Sequence, residues 1–256
     1  MRLHKQAYWA ALGGLLLTCS VQAEIAGVQF SADMISRGPD GQTTTGKMSV
    51  GANRMRIEMS HQGQQVIRIH DQTRQMEWML FPDRQTYMER SVPMGAAAPG
   101  QMPAPSAETN PCQGIEGLNC RRAGEEDVAG RRAVKWEMSM TREGQTLTGA
   151  QWLDVERGLP LKYQMPDGQS MELRMLGTES IAGRTVEKWE MTTTVPNESP
   201  AQSLQWYDPQ LKLAVREEFP GGFVRELTNI QVGPQPEALF SVPDGYSRME
   251  PPPAPR

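Results

Sequence analysis

The 256-residue chain carries 26 lysine and arginine residues against 30 acidic ones, and its mean hydropathy is −0.55. This acidic balance argues against nucleic acid or an anionic membrane surface as the main partner, because both recognise a basic footprint. No segment after the first 23 residues is apolar enough to form a transmembrane helix, which needs about 20 such residues.

The first 23 residues have the layout of a secretory signal peptide. Arg2 and Lys5 give a cationic start, an apolar run covers 7–17, and a small residue, Ala23, marks the cleavage point. The apolar run is too short to span a bilayer. The sequence therefore predicts export to the periplasm, with 24 basic and 30 acidic residues in the mature chain. The alternative is a lipoprotein anchored through Cys19, although the threonine before it fits poorly.

Residues 24–90 are predicted to form a first β section. Apolar and polar residues alternate there with a period of two, which is typical of strands that bury one face. The apolar positions of these strands are Val28, Phe30, Ala32, Met34, Met55, Ile57, Met59, Met76, Trp78 and Leu80. Turn-forming residues at 38–41, 51–53, 62–63 and 82–83 separate the strands, so the section is predicted to be an antiparallel meander.

Residues 91–122 are predicted to be a low-complexity insert. They are rich in alanine, glycine and proline, nothing alternates, and the prolines disfavour both a helix and a central strand. Cys112 and Cys120 form an even pair in an oxidising compartment, so a disulfide is expected. Closing this loop would contribute about 2.5 kcal/mol. Metal binding by the pair is a weaker alternative, because no histidine or further cysteine stands nearby.

Residues 123–249 are predicted to be a second β section built from a repeat. The segment 128–138, with V-A-G-R and K-W-E-M, recurs at 181–191 as I-A-G-R and K-W-E-M. Gln-Trp follows in both copies, at 151–152 and 205–206, so the tryptophans are offset by 53 and 54 residues. Each copy is expected to contain about four strands. Two copies are too few to close a propeller, which favours an extended curved sheet.

The two β sections are expected to form one domain, followed by a disordered proline-rich tail at 250–256. The tryptophans of the repeat are interpreted as core anchors. These residues are Trp136, Trp152, Trp189 and Trp206.

No set of residues has a catalytic pattern. The sequence lacks G-x-S-x-G, a P-loop, G-x-G-x-x-G and C-x-x-C. His61 and His70 are the only histidines after the signal peptide, and both are expected to be exposed polar residues. Adjacent acids such as Glu125 and Glu126 would face opposite sides of a strand. The sequence therefore predicts neither an enzyme nor a cofactor or metal site.

Methionine points to a binding surface instead. The chain contains 17 methionines, and many occupy in-facing positions. Methionine is unbranched and polarizable, so it adapts to ligands of varied shape. The predicted ligand groove consists of Met34, Met55, Ile57, Met59, Met76, Trp78, Met138 and Met191. The alternatives are a methionine-rich core without a ligand and, more weakly, a Cu(I) site through Met138 and Met140.

The order of motifs along the chain resembles a known group of proteins. The segments 30–34, 46–48, 54–58 and 236–246 look like an uncharacterised bacterial family adjoining the LolA/LolB/LppX superfamily of periplasmic lipoprotein- and lipid-binding domains. The resemblance covers most of residues 24–249. It implies a mainly β fold with few short helices. The fold would be a strongly curved antiparallel sheet, an open half-barrel whose concave apolar face holds acyl chains.

The chain also departs from LolA-type carriers, which begin with a helix and have helical lids. The mature sequence shows no helical periodicity beyond a turn at 236–240, and the insert is a candidate replacement for the lid. Together these observations predict a non-enzymatic periplasmic protein that binds a lipid, an acyl chain or a lipidated partner. The alternative is a structural or sensory envelope domain that binds a protein partner. An open apolar cavity would favour the first, and a filled face the second.

Overall fold

The computed structural model describes residues 28–61, 63–92, 107–112, 117–142 and 144–249. The predicted signal peptide, Cys19, most of the insert and the proline-rich tail lie outside these residues.

The regular structure of the described residues consists of sixteen β-strands and two short 3₁₀ helices. The first six strands are β1 (Phe30–Arg37), β2 (Thr43–Gly51), β3 (Arg54–His61), β4 (Gln64–Asp71), β5 (Met76–Phe81) and β6 (Thr86–Ser91). The next five are β7 (Leu118–Val128), β8 (Arg131–Arg142), β9 (Gln145–Asp154), β10 (Pro160–Gln164) and β11 (Ser170–Ile181). The last five are β12 (Arg184–Thr194), β13 (Ala201–Asp208), β14 (Leu213–Glu218), β15 (Val224–Val232) and β16 (Ser247–Arg248). The 3₁₀ helices cover Pro82–Arg84 and Glu237–Phe240.

All sixteen strands belong to one sheet, in the order β16-β6-β5-β4-β3-β2-β1-β15-β14-β13-β12-β11-β10-β9-β8-β7. Neighbours are antiparallel except β16, which runs parallel to β6. The terminal strands β7 and β16 do not pair with each other, so the sheet is unclosed. It is also curved. The predicted fold class, a mainly β open half-barrel with few short helices, is confirmed. β7 begins at Leu118, within the segment assigned to the insert.

Tight turns explain why most neighbours in the sheet are also neighbours in sequence. The hairpins β7–β8 and β11–β12 turn at Ala129-Gly130 and Ala182-Gly183. All four of these residues have positive φ, between 48° and 80°. Two such residues in succession give a type I′ turn, whose twist matches that of the flanking strands. The same Ala-Gly turn therefore leads into the first strand of each repeat copy, β8 and β12.

The structure contains a third four-strand unit, β3–β6, in addition to the repeat copies β8–β11 and β12–β15. In each unit an aspartate ends the second strand: Asp71, Asp154 and Asp208. The fourth residue after it is left-handed: Gln75, Gly158 and Lys212. A proline follows the third strand: Pro82, Pro166 and Pro220. The predicted repeat did not include this unit, because β3–β6 lacks the K-W-E-M and Q-W signatures.

Three apolar clusters bury most of the core. The first joins β1–β3 to β12–β15 and contains Phe30, Val50, Met55, Trp206 and Leu213, among others. The second lies in β8–β12 around Trp152, Leu161 and Trp189. The third lies on β4 and β5 beneath Phe240.

Candidate apolar binding face

Regular pairing fixes which side chains share a face between β1 and β6. Phe30 lies opposite Val50, Val50 opposite Met55, and Met55 opposite His70. Directly paired residues on antiparallel strands point to the same side of a sheet. We call the apolar surface formed in this way on β1–β3 the methionine face. Its members are Phe30, Ala32, Met34, Met48, Val50, Met55, Ile57 and Met59.

A cleft opens where the methionine face meets β14 and β15. It is lined mainly by Met34, Met48, Ile57, Leu213, Val215 and Leu227. Its volume is about 40 Å³, only a few times the roughly 10–15 Å³ that a single water molecule needs. Pockets that hold small molecules usually measure about 300–1,000 Å³. The cleft is therefore almost filled by its own side chains.

A charged pair borders this cleft. Arg225 donates from Nε to Glu217 Oε2 at 2.6 Å, and its guanidinium lies 5.7 Å from the ring centroid of Phe219. Both members of the pair contribute to the lining of the cleft. At the other end of the methionine face, Met59 is 40% exposed. The surface thus combines a buried apolar floor with a polar margin and one accessible methionine.

Four of the eight predicted groove residues come together on the methionine face: Met34, Met55, Ile57 and Met59. Trp78 lies on the opposite face of the sheet, because it pairs with Ile69 and Ile69 pairs with Arg56, which alternates with Met55 and Ile57. Met76 shares the side of Trp78 and packs with it in the cluster beneath Phe240.

The remaining predicted groove residues are distant in the sheet. Met191 is on β12, four strands from β1, and Met138 is on β8, eight strands away. Met138 lies opposite Cys120, and Met140, the second residue of the copper alternative, lies opposite Leu118. A period of two shows that a strand has one buried face but not which face of the common sheet it is. For Trp78 the buried face is the one that the C-terminal segment covers, and no local sequence signal shows that this segment packs there.

His70 is buried, so the expectation that it is exposed is wrong. Its side chain is 3% exposed, and its Nδ1 has no hydrogen-bond partner among the described residues. Burial lowers the pKa of His70, which favours the neutral imidazole. Glu77 lies 3.9 Å from Nδ1 and accepts hydrogen bonds from Arg68 at 2.5 Å and Arg90 at 2.8 Å. Sequence reasoning gave no sign of this buried cluster beside Met55.

The repeat copies hold their second tryptophans by the same contacts. In the first copy Trp152 donates its indole N–H to Glu126 at 2.8 Å. Lys135 lies 3.0 Å from Glu126 and 4.9 Å from the Trp152 ring centroid. The equivalent residues Trp206, Glu179 and Lys188 show distances of 2.7, 3.0 and 4.8 Å. The indole hydrogen bond, followed by the lysine, lowers the pKa of each glutamate.

The first tryptophans of the copies, Trp136 and Trp189, are buried. Trp136 donates its indole N–H to the carbonyl oxygen of Ala107 at 3.0 Å, so the described part of the insert packs on β8. The predicted disulfide between Cys112 and Cys120 is confirmed and ties the same segment to β7.

Two negative findings apply to the described residues. They contain no group of three histidine, cysteine, aspartate or glutamate residues placed to hold a metal ion. They also contain no helix long and apolar enough to cross a membrane.

No protein-family model and no curated protein matches the chain. Among solved structures, a LolA superfamily protein from Nitrosomonas europaea is 11% identical with a TM-score of 0.33, covering 86% of this chain and 91% of that one. A domain assigned as an outer membrane lipoprotein-sorting protein from Vibrio parahaemolyticus is 11% identical with a TM-score of 0.33, covering 84% and 89%. The hypothetical lipoprotein YmcC from Escherichia coli is 12% identical with a TM-score of 0.32, covering 80% and 88%. Such TM-scores indicate neither a ligand nor a partner for this chain.

Proposed function

We propose that this protein is a non-catalytic binding domain of the periplasm that holds an acyl chain, free or attached to a lipidated partner, against the methionine face. The observation that carries the proposal is the cleft between β1–β3 and β14–β15. Its floor is apolar, and its margin carries the Arg225–Glu217 pair. This arrangement suits an amphiphile, because the apolar part is removed from water while the polar end stays at the margin.

Acyl-chain binding requires the cleft to widen. Met34 and Met48 line it, and Met59 extends the same face toward solvent. Methionine has three rotatable bonds and repacks more easily than a β-branched residue, so a change of rotamer can open space. Each methylene group of a ligand that leaves water contributes about 0.8 kcal/mol. A few methylenes would therefore offset the rearrangement of the side chains.

Native mass spectrometry of gently purified protein should reveal a co-purifying lipid, and a hydrophobic fluorescent probe should bind to the delipidated protein. Met59→Glu places a charge on the methionine face and should weaken probe binding at least tenfold. Met140→Glu is the matched control, since Met140 is similarly exposed but lies on β8. Absence of both lipid and probe binding, or equal effects of the two substitutions, would contradict the proposal.

The small volume of the cleft favours a second candidate, a structural or sensory envelope domain that binds a protein partner and keeps its sheet face filled. Under this alternative neither the natural chain nor Met59→Glu binds the probe. Added lipid would then leave the thermal midpoint of the natural chain unchanged.

A further inference from the structure

β7 is the terminal strand at one end of the sheet. Within the described residues it pairs only with β8, so the backbone groups along the outer edge of this 11-residue strand have no strand partner there. An exposed edge of this length is a template for pairing with another chain unless side chains prevent it. The charges on β7 therefore decide which strand it can accept.

The charges of β7 are divided into two halves of opposite sign. Arg121 and Arg122 precede the centre of the strand, and Glu125, Glu126 and Asp127 follow it. An edge that carries one sign of charge repels a second copy of itself, which is how many proteins protect their edges. In an antiparallel pair of two β7 strands, by contrast, the basic half of each copy meets the acidic half of the other.

A β-bulge divides the strand at the same point. Arg122 pairs with Trp136 and Gly124 pairs with Lys135, which leaves Ala123 as an extra residue on β7. The partner strand β8 pairs with β9 without any shift, so its residues alternate regularly between the two faces. The register with β8 therefore shows on which face each β7 side chain lies.

The bulge places the opposite charges on matching faces. Arg122 and Glu125 lie opposite Trp136 and Val134, two residues of one face. Arg121 and Glu126 lie opposite Glu137 and Ala133, two residues of the other face. In a regular strand, residues three or five positions apart point to opposite faces. The extra residue thus brings each basic side chain onto the face of an acidic one.

We propose that β7 is a homodimer interface in which two copies of this chain pair antiparallel through their β7 edges. A twofold axis between Ala123 and Gly124 places Arg121 opposite Glu126 and Arg122 opposite Glu125 of the second copy. Paired residues must share a face in an antiparallel sheet, and the bulge satisfies this for both pairs. The small residues at the axis let the two backbones approach closely.

The charged side chains remain accessible for such pairing. The side chain of Arg121 is 73% exposed and that of Glu126 is 49% exposed. Each already contacts a residue of its own chain, Glu137 for Arg121 and Lys135 for Glu126. The side chains of Arg122 and Glu125 are 39% and 33% exposed and pair with each other at 3.0 Å within the chain. Arg122 also pairs with Glu108, and Glu125 with Arg132. In the dimer these pairs become parts of networks that cross the interface. Because the attraction is electrostatic and near the surface, it weakens as salt is added.

Sedimentation velocity of the purified chain tests the proposal. The natural chain should show a monomer–dimer equilibrium that shifts toward the monomer at high salt. Arg122→Glu and Glu125→Arg should each weaken dimerisation at least tenfold, because each places like charges opposite one another. An equimolar mixture of the two variants should recover the dimer, since opposite charges then face each other again. Neither substitution touches Glu126, which accepts the hydrogen bond from Trp152.

The double substitution Arg174→Glu with Lys212→Glu is the control. It changes two exposed basic residues away from β7 and should leave dimerisation unchanged. Circular dichroism should show the same strand content for all variants. A natural chain that is monomeric at every concentration, a dimer insensitive to both single substitutions, or a mixture that stays monomeric would overturn the proposal.

Discussion

The unit β3–β6 and the two repeat copies share a pattern of turns, but different contacts hold their strands. In each copy, a tryptophan and a lysine stabilise one another together with a glutamate on the strand that precedes the copy, β7 or β11. In β3–β6 the C-terminal segment covers the sheet with Phe240, which is 1% exposed. Arg54 fixes this segment through two hydrogen bonds to Glu237, at 2.5 and 2.6 Å. The same arrangement of strands and turns is therefore stabilised by local contacts in the copies and by a segment distant in sequence in β3–β6.

Removing the Phe240 ring, which covers the β3–β6 sheet, should reduce stability the most. Phe240→Ala eliminates the ring that closes the apolar cluster on β4 and β5, so we expect the free energy of unfolding to fall by about 3–5 kcal/mol. Urea denaturation followed by tryptophan fluorescence measures this loss. Phe223→Ala is the control, because Phe223 is 37% exposed and belongs to none of the buried clusters of the described residues, so its effect should be smaller. Equal losses in the two variants would show that the cover contributes little.

We expect the second-largest effect from substitutions of the aspartates that end β9 and β13. Asp154 is 1% exposed, receives a hydrogen bond from Arg131, and accepts the N–H groups of Glu156 and Arg157. Asp154→Asn removes the charge, and we expect a loss of about 2 kcal/mol at pH 7. Asp208→Asn should cost a similar amount, since Asp208 makes the equivalent contacts. A loss in only one copy would contradict the equivalence of the turns.

The effect of Asp154→Asn should also depend on pH. Burial raises the pKa of Asp154, but the hydrogen bond from Arg131 and the turn amides outweigh it, so the pKa lies below its ordinary value. A lowered pKa in the folded state adds stability above the unfolded value, about 3.9, and this stability is lost as pH falls through the folded pKa. Urea denaturation from pH 7 to pH 2 should therefore show the difference between variant and natural chain shrinking in acid.

Trp152→Phe and Trp206→Phe should have smaller and equal effects. Each substitution keeps an aromatic ring but removes the indole donor to a glutamate. The thermal midpoint should fall by less than with Asp154→Asn. The pKa of Glu126 or Glu179 should rise toward its ordinary value, which carboxyl-detected NMR titration measures. An unchanged glutamate pKa would show that the indole hydrogen bond is not the main cause of its shift.

Lys135→Gln and Lys188→Gln should have the smallest effects. Both lysines are near the surface, where an ion pair contributes about 0–1 kcal/mol. The loss should diminish further in 1 M salt, because the Debye screening length then falls to about 3 Å and exposed charges attract each other less. Thermal denaturation at two salt concentrations gives the comparison. A large loss that is insensitive to salt would indicate that the lysines act mainly by packing on the tryptophans.

Much of the fold followed from local patterns. Period-two alternation indicated the strands, turn residues separated them, and the repeated tryptophans pointed to equivalent units in one extended sheet. The face of Trp78 did not follow, because it depends on a C-terminal segment about 160 residues away. The burial of His70 and its contact with Glu77 depend on the pairing of β4 with β5, which composition does not reveal. The four residues that do meet on the methionine face lie on β1 and β3, which both pair with β2, so the predicted meander of consecutive hairpins together with the alternation brought them onto one face.

The position of β1 at the centre of the sheet has a consequence for how the chain folds. β1 is the first strand of the described chain, yet one of its two neighbours is β15, about 200 residues later. When the chain is synthesised from its N-terminus, one edge of β1 stays unpaired until β15 is available. Pairing between such distant segments slows folding, because a long loop must close before the contacts form. Until β15 pairs with it, this edge of β1 is exposed and can pair with other chains, which leads to aggregation. A chaperone that shields the edge would therefore act mainly before β15 is available.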